Sequence, residues 1–129
     1  MSLDSDVDTE DAPIDDAVVV RVAERAEMDP ATIATALVTV NAELLGRHAE
    51  FERSADYVTV DNTRAYRISY DRWDDVLAAF EFDSETGTAV RTAHTEQARL
   101  LFATAVGVDD QFGADEAGAV VGIDTAEQF

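Results

Sequence analysis

Residues 57–70, YVTVDNTRAYRISY, decide the fold of this chain. β-Branched and aromatic residues flank Asp61 and Asn62, both turn formers, so the stretch reads as a β-hairpin. A three-residue loop at Asn62–Arg64 sets Val60 opposite Tyr66 and Val58 opposite Ile68, with the apolar residues on one face. A two-residue loop pairing Thr59 with Tyr66 scatters them. The three-residue register is therefore expected. It makes the hairpin a wall of the core, with Arg64 in the turn and Arg67 on the opposite face beside Tyr57.

Helical signals surround the hairpin. A first helix is expected from about Ile14 to Glu27, capped by Asp11 or Asp15, with Pro13 in its first turn and Ile14, Val18, Val22 and Met28 on one side. Asp29 and Pro30 then form a cap and first residue for a second helix. Its apolar positions, Ile33, Leu37, Val40, Leu44 and Phe51, fall on one face. Gly46 either ends this helix or sits inside it at a cost of about 1 kcal/mol. After the hairpin, SYDRWDDVLAAF (69–80) starts a third helix with Trp73, Val76, Leu77 and Phe80 inward. A fourth runs from Ser84 or Gly87 to Val106, with Val90, Ala93, Leu100 and Leu101 inward and Gly107 as the stop. The expectation is one small α+β domain, mainly helical, in the order helix, helix, hairpin, helix, helix. AGAVVGID (117–124) offers an optional edge strand weakened by its glycines.

Charge sets the limits. The 129 residues hold 28 Asp plus Glu against nine basic residues, all Arg, for a net charge of −19. Residues 1–16 and 107–129 contain acids and no base, while 17–106 holds all nine arginines. The folded domain is accordingly expected over 13–107, with an acidic disordered tail at 1–12 and an acidic, mostly disordered tail at 108–129. The acidic N-terminus resembles neither a signal nor a transit peptide, and no apolar run reaches membrane-span length, so the cytoplasm is expected. The absence of Cys excludes disulfides, thiolate metal sites and Cys nucleophiles.

Acidity with Lys absent and Arg retained resembles proteins of archaea that keep molar salt inside the cell. There the Debye length falls to about 3 Å and self-repulsion between carboxylates is screened. AELLGRHAEFER (42–53) with the hairpin after it resembles a family of small acidic, functionally uncharacterised proteins of such organisms, over residues 14–106. That resemblance implies no activity. VAERAEMDPATIATAL (22–37) resembles a helix-turn-helix, with the hairpin downstream as a wing.

The candidate residues divide among three readings. On the second helix, Ala31, Thr35, Val38 and Ala42 lie opposite Ile33. None makes a bidentate contact to a base edge, which argues against direct DNA readout. Such a small-residue face belongs to a central helix or to an interface, and a homodimer packed through these four residues is one reading. Arg64, Arg67 and Arg72 are the nucleic-acid alternative, a winged-helix-like regulator that reads DNA by shape and phosphates. Against it, the five arginines between Arg47 and Arg72 are matched by five acids in the same span. His48 and His94, the only histidines, are the candidates for a metal-dependent site, but no metal-binding spacing accompanies them. Tyr57, Tyr66, Tyr70, Trp73, Phe80 and Phe82 read as core rather than as a base-stacking surface. Nucleotide-loop and nucleophile motifs are absent. The expectation is a non-enzymatic interaction or assembly module without a cofactor, with a second copy or another protein as partner and no membrane.

Overall fold

A computed structural model describes residues 13–60, 62–106 and 115–122. Helices α1 (Asp16–Ala26) and α2 (Pro30–Ser54) are followed by strands β1 (Asp56–Val60) and β2 (Thr63–Ser69). Then come helix α3 (Tyr70–Leu77), helix α4 (Ser84–Val106) and strand β3 (Glu116–Gly122). The three strands form one antiparallel sheet in the order β1-β2-β3. The chain is thus a small, mainly helical α+β domain.

Local chemistry explains the helix ends. Asp15 stands before α1 but its side chain makes no capping hydrogen bond, accepting instead from Gln97 Nε2 at 3.4 Å, and Glu27 closes that helix in the left-handed region at φ 57°. Asp29 accepts the Ala31 N–H, and Pro30 occupies the first turn, where no N–H is needed. Ser69 accepts the Arg72 N–H to start α3, and Asp83 accepts the Thr86 N–H to start α4. That bond from Thr86 holds the exposed Asp83 carboxyl below its usual pKa. Gly46 sits inside the 25-residue α2 rather than ending it. The Gly107 stop lies outside the described residues.

The hairpin register differs from the sequence expectation. Val60 pairs with Thr63, Val58 with Ala65 and Tyr57 with Tyr66. The Val60–Thr63 pair leaves room for only a two-residue connection, and Asn62 takes φ 65°, which its short polar side chain tolerates. The expected register fails because it assumed one buried face, whereas helices cover both faces of this sheet. On one side α2 sets Phe51 against Tyr66, ring centroids 5.5 Å apart. On the other α4 lays Phe102 beneath Arg67 and Ala98 against Gly118. Val58 and Tyr66 therefore face opposite layers, and Arg64 lies in β2 opposite Thr59 rather than in the turn.

β3 moves the end of the folded unit. Ala117, Ala119, Val120 and Val121 are all buried, so the boundary expected at 107 is too early and the fold extends to Gly122. The optional edge strand is built into the core. The tail segments 1–12 and 123–129 lie outside the described residues.

Gly118 explains why glycine belongs in this strand: a Cβ there would fall closer than 3.0 Å to Ala98 Cβ. Three outward main-chain groups of β3 are satisfied by side chains. Thr95 Oγ1 accepts the Gly118 N–H (3.1 Å), His94 Nδ1 accepts the Val120 N–H (3.1 Å), and Trp73 Nε1 donates to the Gly118 carbonyl (2.8 Å). Helix α1 closes the core against α2 and α4, burying Val18, Val19, Val22 and Ala23. Gln97 of α4 ties its entry, accepting the Asp15 N–H at 2.9 Å. Leu100, expected inward, is 48% exposed, because the buried arc of α4 runs through Ala93, Gln97, Ala98 and Phe102 instead.

Candidate interaction surface

Helix α2 turns Ile33, Leu37, Val40 and Leu44 into the core. At 3.6 residues per turn the opposite side must carry Ala31, Thr35, Val38 and Ala42. Thr35 and Ala42 are exposed. Ala31 is half-buried, and Val38 is half-buried against the edge of the core. Thr32, Thr39 and Gly46 extend this surface. The Thr39 hydroxyl donates to the Thr35 carbonyl at 3.0 Å, so the side chain folds back on its own helix. From Pro30 to Ala42 thirteen residues pass without a charge, in a chain where 37 of 129 are charged. That run marks the face in the sequence itself.

A shallow groove of about 530 Å³ borders this surface, with Ala31, Thr35 and Thr39 on one wall and Phe82 between Glu81 and Asp83 on the other. Phe82 stacks on Phe80, centroids 5.3 Å apart and planes 21° from parallel. The groove is apolar at its base and acidic at its rim.

The three arginines of the nucleic-acid reading share one face of the molecule only in part, and each is engaged. Arg64 lies 4.5 Å over the Tyr57 ring, donates to Thr59 Oγ1 at 3.1 Å and pairs with Glu52 at 3.6 Å. Arg67 bonds Asp56, lies 3.8 Å from Glu116 and covers Phe102 on the other side of the sheet. Arg72 bonds Glu50 at 2.8 Å and Ser54 at 2.7 Å over the Phe51 ring. Carboxylates of the same chain thus meet every positive charge that the hairpin offers.

The structure does not join the two histidines. His48 is half-buried on α2, and its carbonyl accepts from the Tyr66 hydroxyl at 3.3 Å. Burial beside Arg64 leaves that phenol with a net upward pKa shift, desolvation outweighing the arginine. His94 is fully buried against Trp73, ring centroids 5.2 Å apart. Its Nδ1 accepts from Val120, so the proton sits on Nε2, which has no partner among the described residues. Loss of hydration pushes the imidazole pKa down to about 3. Among the described residues no group of three His, Asp or Glu side chains is arranged to hold a metal ion. Of the aromatics, Tyr66 and Trp73 are fully buried, Phe80 and Phe82 are half-buried, and Tyr57 and Tyr70 are exposed to 40% and 39%.

The fold and this surface define a small α+β domain in which a three-stranded sheet is packed on both faces by helices and, among the described residues, one uncharged helix face is partly exposed. The chain belongs to a family known as a domain of unknown function (DUF8048), whose model matches residues 12–123. No curated protein and no solved structure matches it. No described helix is long and apolar enough to cross a membrane.

Proposed function

We propose that this chain is a non-enzymatic interaction module that docks a protein surface, a second copy in the simplest case, on the open face of α2. The observation that carries the reading is the uncharged run Pro30–Ala42 with Thr35 and Ala42 exposed upon it. A chain of net charge −19 that keeps one helix face free of carboxylates lowers the desolvation cost of covering that face, and interface centres are depleted in charge for this reason. Small side chains let a partner helix approach closely, and Phe82 in the adjoining groove supplies an aromatic anchor point. The setting is a salt-rich cytoplasm, where screening lets two acidic chains meet. The engaged state of Arg64, Arg67 and Arg72 favours this reading over the DNA-binding one.

Light scattering on the full chain in molar KCl tests the proposal, alone and with Thr35→Arg plus Ala42→Arg. Self-association whose mass the double substitution lowers, by removing the contact on this face, is the expected result. A strict monomer with no partner captured on this face contradicts it.

A further inference from the structure

The two edges of the sheet are treated in opposite ways. At β3 the outward N–H groups of Gly118 and Val120 and the outward Gly118 carbonyl are all capped by side chains of α3 and α4. Alternation along an antiparallel ladder then dictates the rest. If 118 and 120 point away from β2, their neighbours 117, 119 and 121 pair with 68, 66 and 64. Residues 63, 65 and 67 must therefore turn to β1, pairing with 60, 58 and 56. That leaves the main-chain groups of Tyr57 and Thr59 pointing outward from β1, where no described residue meets them. Asp56, Tyr57 and Thr59 are exposed, and Tyr57–Val60 carries no charge. An open, uncharged edge of this kind is a template for another strand.

We propose that β1 is a second contact surface, and that its occupant is β1 of another copy, added antiparallel to give a continuous six-stranded sheet. The geometry closes on itself. A two-fold axis through Val58 sets Tyr57 opposite Thr59 of the second copy and Thr59 opposite its Tyr57. The four outward N–H and four outward C=O groups of the two chains then satisfy one another. Val58 meets Val58, a β-branched pair on the half-buried side of the strand. Asp56 falls opposite Val60, so no two carboxylates face each other across the join, and Arg67 already neutralises Asp56 within its own chain. This contact is separate from the α2 face and does not depend on it.

Two measurements on the full chain in molar KCl decide it. Thr59→Pro removes an outward N–H and no ladder hydrogen bond, so the fold survives while the edge can no longer pair on that side. Its mass by light scattering falls to half that of the unsubstituted assembly, whereas Thr35→Arg plus Ala42→Arg leaves the β1 contact in place. An unchanged mass for Thr59→Pro overturns the proposal, and loss of the assembly only with the α2 substitutions leaves the α2 reading standing alone. The second measurement needs no substitution. Amide hydrogen exchange at Tyr57 and Thr59 slows at least roughly tenfold between micromolar and millimolar protein, while Val58 and Val60 are protected throughout. Exchange at Tyr57 and Thr59 that does not change with concentration overturns the proposal. Fast exchange would mean an edge that stays open, and slow exchange an edge covered by the chain itself.

Discussion

Replacing Gly118 by Ala is the sharpest test of how β3 and α4 fit together. The added Cβ would fall closer than 3.0 Å to Ala98 Cβ, and 3.3 Å from both the His94 carbonyl oxygen and Thr95 Cα. Two carbons rest comfortably about 3.5–4.0 Å apart, so the strand and helix must separate by at least about 0.5–1 Å. Three hydrogen bonds resist that movement: Gly118 N–H to Thr95, Trp73 to the Gly118 carbonyl, and Val120 N–H to His94. Overpacking costs about 1–3 kcal/mol, and each weakened hydrogen bond adds about 1 kcal/mol. The lower unfolded-state entropy of Ala returns about 0.5–1 kcal/mol. The net expectation is a loss of about 3 kcal/mol, a large part of the 5–15 kcal/mol typical of a domain. Urea unfolding in molar KCl, followed by the fluorescence of the single, fully buried Trp73, reads it directly. Ala98→Gly alone costs about 1 kcal/mol as a helix-interior glycine. Combined with Gly118→Ala, however, it removes the worst clash and restores part of the loss, giving a favourable coupling of about 1–2 kcal/mol. A Gly118→Ala variant within about 0.5 kcal/mol of the parent, or a double variant whose effects simply add, refutes this packing.

Gly46→Ala works the other way: nothing lies within 4 Å of the added Cβ in mid-helix, so chemical denaturation should show a gain of about 0.5–1 kcal/mol. His94 is buried neutral with its pKa lowered to about 3, against 6.5 when unfolded, so the unfolded chain binds the proton first as pH falls. Stability is therefore lost progressively below about pH 6.5, by about 2 kcal/mol at pH 5, and continues to fall until about pH 3. His94→Asn keeps an acceptor for Val120 and lacks that titration, so the stability difference between parent and variant, measured by urea unfolding at pH 7.5 and pH 5, should shift by this amount in the variant's favour. Dialysis into dilute buffer lengthens the Debye length from about 3 Å at 1 M to about 30 Å at 0.01 M. Repulsion within a chain of charge −19 should then lower its melting temperature steeply, as circular dichroism would record.

Local signals were legible wherever the cause was local. Asp29–Pro30 announced the start of α2 because capping involves only neighbouring residues. The partners of Arg64, Arg67 and Arg72 were foreshadowed by acids of the same short span, Glu52, Asp56 and Glu50. The hairpin was visible, but its register was not. Gathering all apolar residues on one face is the right rule only when one face is buried, and here Val58 and Tyr66 serve different layers. β3 was hidden for the same reason: a strand covered on both faces has no alternation, and Gly118 counted against it although close packing against Ala98 requires that glycine. His94 could not be placed, because its neighbours Trp73 and Val120 come from distant segments. The open face of α2 was seen as a set of small residues. Its stronger mark, thirteen uncharged positions in an acidic chain, is a property of composition and stood in plain view.

The proposed contact surface on the open face of α2 can be tested directly, because the chain has no cysteine. Ala42→Cys and Val20→Cys each place a single thiol at an exposed position, the first on that face and the second on α1. Under mild oxidation in molar KCl, Ala42→Cys should form a covalent dimer quickly and at low protein concentration, while Val20→Cys stays largely monomeric. Equal, slow cross-linking of the two variants would contradict self-association through this face.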